Sequence, residues 1–265
     1  MDLSGDALDL DQVAAEVGVH YQTVYRWVRA GKLPADVVDG RYRVLRHELA
    51  AFLEARRTPT RPKPPGAPRL ARAAEKMHTA LSAGDEFGAR DLAGALVAEH
   101  TPLIDLIQKV LVPPLEWIGR DWHDGKLSIW VEHRASAIAE RILGEVAPRP
   151  RGRRRGTVMV AAVSGDRHSL ATTMAAVVLR DHNWRVHHLG ADMPPDELVR
   201  FCDEHEIDVA VLTVVNPACS ERAHETADRI RRSGTPVVVG GPARTLDDLV
   251  MQVRAAVAGQ RKSGV

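Results

Sequence analysis

The chain has 265 residues, with 36 Lys and Arg against 35 Asp and Glu, a net charge of +1 at neutral pH and 45% hydrophobic residues. No run of 18 apolar residues exists to cross a bilayer, and the acidic start Met1–Leu10 lacks a signal-peptide pattern, so a soluble cytoplasmic protein without a membrane partner is expected. Cys202 and Cys219 are the only cysteines, which excludes a disulfide framework or a thiolate metal cluster and leaves histidine for any metal chemistry.

Arg and Lys gather at 26–46, at 57–72 and at Arg149–Arg155. Residues 58–68, rich in proline, predict an extended spacer. Residues 148–156 combine turn formers with five arginines and predict a second, basic linker. Three modules follow, at 1–57, 69–147 and 157–265.

In the first module, Leu10–Val17 has the spacing of a short amphipathic helix, Gly18 supplies a turn, and His20–Ala30 gives a second helix. Val37–Val44, broken at Asp39-Gly40, predicts a two-stranded wing, and a third helix is expected over Arg46–Ala55. Between residues 20 and 46, six Arg or Lys face two Asp, concentrating positive charge where DNA phosphates would lie. Gln22, Thr23 and Arg26 are placed to reach base edges, while Tyr21, Tyr25 and Arg29, with Arg41 and Arg43 of the wing, are expected on the backbone; Val24 and Trp27 read as core. This module resembles the MerR and excisionase-like winged helix families through Thr23-Val24-Tyr25-Arg26-Trp27, Gly31-Lys32-Leu33-Pro34 and Gly40-Arg41-Tyr42-Arg43. One copy makes few contacts, so useful affinity for double-stranded operator DNA requires a homo-oligomer.

The second module predicts a four-helix bundle: Leu70–Leu81, Asp85–Glu99, Pro102–His123 and Ser128–Val146. Asp85, Thr101 and Ser128 are the expected N-caps, with Pro102 at a first helical position. Pro113 and Pro114 should kink the third helix. The third module alternates strands at Thr157–Val163, Arg185–Leu189, Val209–Val215 and Val237–Val239 with helices at 169–181, 195–205 and 221–232. That pattern is a doubly wound parallel sheet whose ligands bind beyond the carboxyl ends of the strands. Leu246–Val265 reads as helix and polar end, so a fifth strand is expected to be missing.

Two motifs carry chemistry. Asp166 and His168 stand two apart just beyond the first strand of this sheet, where the carboxylate can accept one ring N–H and leave the other nitrogen for a metal. Trp122 and His123, then Glu132 and His133 after nine residues intervene from Trp122, lie on helices able to close over the opposite face of a flat, metal-bearing group. The tryptophan face can cover an axial ligand and Glu132 can hydrogen-bond hydroxyls. His78, His187 and His188 read as surface or core residues.

Asp166-x-His168-x-x-Ala171, Thr213-Val214-Val215 and Gly240-Gly241 resemble the cobalamin-binding domain of the methionine synthase type, with Ala171 in place of the motif glycine. Trp122, nine residues, then Glu132-His133 resembles the signature of the cobalamin-dependent MerR-type photoreceptor regulators, the CarH and LitR family, whose modules stand in the same order over nearly the whole chain. The resemblance implies His168 as lower cobalt ligand and the nucleotide tail between the Thr213–Val215 and Gly240-Gly241 motifs. It also implies His123 as upper ligand once light has removed the adenosyl group of adenosylcobalamin. His133 would orient that group or bind the corrin edge. A non-enzymatic repressor that binds DNA as a dark tetramer and releases it in light is the resulting expectation, with Arg167 and Asp192 as candidate interface charges. The alternatives are a light-independent sensor of cobalamin or another ligand, or a constitutive DNA-binding protein. A corrinoid methyl-transfer or mutase component is disfavoured, since no substrate barrel is present.

Overall fold

The computed structural model describes residues 7–19, 21–29, 32–38, 41–57, 67–148, 152–241 and 244–263. It forms two units, Met1–Lys63 and Pro64–Val265.

In the first unit, Asp9 opens helix α1 (Leu10–Val17) with a capping box: its carboxylate accepts the Gln12 N–H at 2.8 Å, and the Gln12 side chain accepts the Asp9 N–H at 2.9 Å. Gly18, at φ 70°, closes the helix in the left-handed conformation that glycine adopts without a Cβ clash. Helix α2 (Tyr21–Arg29) and helix α3 (Arg46–Arg57) flank a sheet of β1 (Ala7–Leu8), β2 (Asp36–Val38) and β3 (Arg41–Leu45). The wing therefore has three strands, in antiparallel order β1-β3-β2, because Ala7 and Leu8 pair with Leu45 and Val44. Two residues are too few to show a strand period in sequence. Leu10, Val13, Val24, Leu33, Val44 and Leu49 fill the core. His20, Ala30, Gly31, Asp39 and Gly40, and with them the expected wing turn, lie outside the described residues, as does most of the proline-rich stretch at 58–66.

The second unit begins with helix α4 (Ala67–Ala83) and helix α5 (Glu86–Ala98), the latter capped by Asp85, whose carboxylate accepts the Gly88 N–H at 2.9 Å. The expected third helix is interrupted: α6 (Leu103–Leu106), a π-helical turn over Ile107–Leu111, then α7 (Val112–His123). Pro113 and Pro114 lack the N–H groups that would engage the carbonyls of Lys109 and Val110 four residues back, so the helix widens one turn upstream of the prolines. Thr101 is not the cap. Pro102 holds that position, while the Thr101 N–H closes α5 onto the Leu96 carbonyl at 3.0 Å and its hydroxyl is buried without a partner among the described residues. Ser128 does sit at the cap of α8 (Ile129–Val146), without a capping bond from its side chain.

Four parallel strands follow, β4 (Thr157–Val163), β5 (Arg185–Met193), β6 (Val209–Leu212) and β7 (Val237–Val239), in the order β5-β4-β6-β7. They alternate with α9 (Ser169–Asp181), α10 (Pro195–Glu204), α11 (Ser220–Arg232) and α12 (Leu246–Ser263). The two-residue strand period divides the core. Val158, Val160, Val209, Val211 and Val238 share one cluster with α9, α12 and the bundle, while Met159, Ala161, Val163, Ala210, Leu212, Val237 and Val239 pack towards α10 and α11. Among the described residues no fifth strand follows, and no helix is long and apolar enough to cross a membrane.

Two strands differ from expectation. β5 continues past Leu189 to Met193, with register shifts against β4 and with Gly190 and Asp192 at positive φ. β6 stops at Leu212 instead of Val215, because the N–H groups of Val215 and Asn216 turn to the Asp166 carboxylate.

Candidate functional site

The sheet order reverses around β4: the chain goes from β4 to β5 on one side and returns to β6 on the other, opening a crevice beyond the carboxyl ends of β4 and β6. There lies a cavity of about 880 Å³ between α7 and α8 of the bundle and the sheet with α9 and α12. Trp122, Glu132, His133, His168, Ala171, Thr213, Val215, Gly240 and Gly241 all line it.

Asp166 organises one wall. It is 1% exposed and sits in the loop after β4. Its Oδ1 lies 2.7 Å from His168 Nδ1 and accepts the His168 backbone N–H at 3.3 Å; its Oδ2 accepts the N–H of Val215 at 2.7 Å and of Asn216 at 3.1 Å. An ionised carboxylate only accepts, so His168 carries its proton on Nδ1 and leaves the Nε2 lone pair available. Burial by itself raises the Asp166 pKa, but donation from Val215, the His168 ring, Asn216 and the His168 backbone outweighs it and holds the carboxyl below the ordinary range.

His168 is also the N-cap residue of α9, and the start of that helix is held from two sides. Ser169 Oγ donates to Glu140 Oε1 on α8 at 2.5 Å. Thr172 donates to the Ser169 carbonyl and accepts from His188 Nε2 at 2.8 Å, so His188 of β5 buttresses the helix from behind. Burial and the charge of Arg180 lower the His188 pKa, against the opposing pull of Glu140, and favour the neutral ring, which makes this bond in its Nε2–H tautomer.

On the bundle side, α8 presents Glu132, Ser136 and Glu140 at intervals of four, one helical face towards the cavity. Glu132 accepts from Ser136 Oγ at 2.8 Å and from His133 Nδ1 at 2.7 Å. Trp122 is 42% exposed although it borders the cavity, leaving ring surface for another molecule to cover. His123, the last residue of α7, is exposed and outside the cavity lining. Sequence reasoning missed Glu140, Arg244 and Gln252; for Glu140 the signal was its spacing of eight from Glu132. Gln108, in the π-helical turn, donates to Asp247 and accepts the Leu246 N–H, both at 2.8 Å, tying the bundle to the start of α12.

Arg167 and Asp192 face each other at 3.6 Å, and Asp192 also accepts the Gly165 N–H at 2.7 Å. His78 packs its ring on Trp117, and His187 packs on Phe201. Among the described residues, no group of three or more His, Cys, Asp or Glu is arranged to hold a metal ion.

The first unit has its own candidate surface. Val24 is fully buried and Trp27 packs on Phe52 with centroids 5.1 Å apart, while Tyr21, Gln22, Tyr25 and Arg29 are exposed on α2. Tyr21 stacks on Tyr25, which meets Tyr42 of the wing edge-on at 6.1 Å. A hydrogen bond to Tyr42 raises the Arg29 pKa and places the guanidinium beside the wing. Thr23 and Arg43 are half-buried, and the side chains of Arg26 and Arg41 lie outside the described set.

Comparison with known proteins gives three family matches: a helix-turn-helix domain over residues 7–57, and B12 binding domains over residues 73–146 and 156–263. The HTH-type transcriptional repressor CarH of Myxococcus xanthus is 31% identical over 173 residues, which is 64% of this chain and 57% of CarH. The HTH-type transcriptional repressor CarA of the same organism is 34% identical over 122 residues, 44% of this chain and 41% of CarA. The chain thus spans little more than half the length of the first relative and less than half of the second. In fold, the monomethylamine corrinoid protein of Methanosarcina barkeri matches with a TM-score of 0.54 at 16% identity, covering 71% of this chain and 96% of that one.

Proposed function

We propose that this chain, CarH-like in joining a helix-turn-helix domain to two B12-binding modules, is a cytoplasmic, non-enzymatic transcriptional repressor that binds operator DNA as a homo-oligomer and releases it when light acts on bound adenosylcobalamin. The observation that carries this reading is His168, its Nδ1 proton engaged by buried Asp166 and its ring on the wall of a cavity shared by bundle and sheet. Residues 1–57 are assigned to DNA, 69–147 to covering the cofactor and 157–265 to holding it.

The residues present fit a corrinoid. One histidine with a free Nε2 suits a metal that arrives already held by a macrocycle, and the walls from Val112, Leu115, Met174 and Leu249 are apolar. A Cβ built on Gly241 would meet no protein atom within 4 Å, which leaves space beside β7 for a nucleotide tail. Ala171 narrows the same cavity by one methyl group. When bound, the group would supply cobalt to His168 and, in its 5′-deoxyadenosyl form, a cobalt–carbon bond that light breaks.

The chain's own residues supply the rest of the switch. Glu132, oriented by Ser136, would accept hydrogen bonds from a ligand's hydroxyl groups, His133 stands beside it, and the half-exposed Trp122 ring on the cavity border would cover the bound group. Because the bundle and the sheet line opposite walls of one cavity, a ligand that fills it would bridge them, and its loss would free α7 to shift. His123 ends α7 outside the cavity lining, so it would enter the cavity only through a movement of α7, which would make this helix the two-state element. An oligomer presenting several helix-turn-helix units gains avidity, and losing the oligomer loses the operator.

Size exclusion, absorbance and operator band shifts of the full chain with adenosylcobalamin, before and after green light, test the proposal. A dark assembly that shrinks and drops DNA on illumination is expected. Cofactor retained with an unchanged assembly replaces light sensing by plain cobalamin sensing, a reading favoured by Ala171 and by the place of His123 outside the cavity lining. On the DNA side, Arg29→Ala is expected to weaken binding to all sequences alike and to reduce the slope of log affinity against log salt by about 1, the signature of one lost phosphate contact. A change in sequence preference with the slope intact would instead assign Arg29 to a base.

A further inference from the structure

A second cavity, of about 430 Å³, lies at the opposite end of the sheet. Arg154, Gly156, Thr157, Arg180, Trp184 and Arg185 wall it, and Thr157 and Arg185 are the register partners that open β4 and β5. It belongs to the amino ends of the strands, whereas Asp166 and His168 follow the carboxyl end of β4.

Three guanidinium groups around one small cavity repel one another unless something negative lies between them. Among the described residues, none of the three makes an ion pair. Arg154 donates to a neutral acceptor, Asn183 Oδ1, at 2.8 Å. At the start of β4 the Asp208 carboxylate accepts the Thr157 N–H at 2.6 Å.

The cluster is built rather than loose. Asn183 stands at φ 66°, a left-handed conformation that asparagine tolerates, in the turn between α9 and β5. From there its side chain accepts from Arg154 and donates to the Arg153 carbonyl at 2.7 Å, while its own carbonyl accepts the Arg155 N–H at 3.1 Å. Arg155 Nε reaches the His182 carbonyl at 3.0 Å. The basic segment is therefore pinned to the turn between α9 and β5, which places Arg154 on the same cavity as Arg180 and Arg185. Trp184, 2% exposed, forms part of the wall, and its indole N–H is buried with no partner among the described residues.

We infer that this cavity binds a phosphoryl group through Arg154, Arg180 and Arg185. Planar guanidinium forks match phosphate oxygens two at a time, and a multiply charged anion neutralises three cations where a single carboxylate does not. The phosphate comes either from the DNA backbone or from a free polyphosphate. None of the three arginines lines the larger cavity, so the proposal is independent of the cofactor reading.

The test uses the full chain and the variant Arg154→Gln/Arg180→Gln/Arg185→Gln, matched by circular dichroism. In one arm, calorimetric titration with inorganic pyrophosphate is expected to show binding weakened at least about ten-fold in the variant, the loss that follows from removing charge-assisted hydrogen bonds. In the other, affinity for non-specific duplex DNA is measured over a potassium chloride series. A slope shallower in the variant by about 0.9 per lost phosphate contact identifies the DNA backbone as the source. Weakened pyrophosphate binding with unchanged slopes identifies a free anion. If the triple variant does not fold, Arg185→Gln, at an exposed position, carries both arms with a slope change of about 1. Identical titrations and coincident slopes for wild type and variant overturn the proposal.

Discussion

An Asp166→Asn variant is expected to lose histidine ligation of a bound cobalamin almost as completely as His168→Ala, although its imidazole is intact. The carboxylate faces donors on every side: the His168 ring and backbone on Oδ1, and the Val215 and Asn216 N–H groups on Oδ2. An amide has one oxygen. If that oxygen stays with Val215 and Asn216, the amide NH₂ meets His168 Nδ1 and donates to it, which moves the ring proton to Nε2 and removes the lone pair a metal needs. If the amide flips, its NH₂ confronts the part-buried N–H groups of Val215 and Asn216, a donor–donor mismatch that costs about 1 kcal/mol or more. Loss of an outer-shell partner lowers metal affinity by about 10–100-fold in general, and the tautomer argument puts this variant at or beyond the upper end. Absorbance of the loaded protein with equilibrium dialysis reads the result. A histidine-ligated spectrum at wild-type affinity would show that Asp166 does not set the tautomer.

The Gly240→Val/Gly241→Val double variant is expected to keep the thermal midpoint of the cofactor-free protein and to lose cobalamin. A Cβ at Gly240 would make only ordinary contacts, 3.7 Å from the Leu212 carbonyl oxygen and 3.8 Å from Thr213 Cα, and one at Gly241 would meet nothing within 4 Å. The first side-chain atom therefore meets no close protein contact at either position. Both residues line the cavity, so the added isopropyl groups take volume from whatever enters it. Unchanged melting with abolished binding in dialysis is the expected pair of results. Undiminished binding would place the nucleotide tail away from β7.

The sheet was legible wherever burial is two-sided: β4 and β7 read as apolar runs and end as expected. The strands misjudged in length are those whose ends serve the site. Val214 and Val215 read as strand, but the backbone there leaves the ladder to satisfy Asp166, an interaction 49 residues away in sequence. His168, Trp122 and Glu132 were legible because their spacing is chemical. Glu140, Gln108 and Arg244 were not, because their roles depend on which elements meet: α8 with α9, the π-helical turn with α12, and Arg244 with the Val239 carbonyl at the end of β7. The break in the third helix was foreseen from Pro113 and Pro114, but its form was not, since loss of donors does not dictate how the preceding carbonyls adjust.

The valines on one face of β4, β6 and β7 belong to the same apolar cluster as Met77, Leu106 and Ile142 of the bundle. The arginine-rich stretch before β4 is the obvious place to divide the gene, yet it marks no thermodynamic joint. A fragment starting there would present Leu170, Met174 and the outer side of α9 to water without the helices that cover them. Residues 64–265 should melt as one cooperative block in calorimetry, with calorimetric and van't Hoff enthalpies equal, and neither half should survive alone as a well-behaved piece.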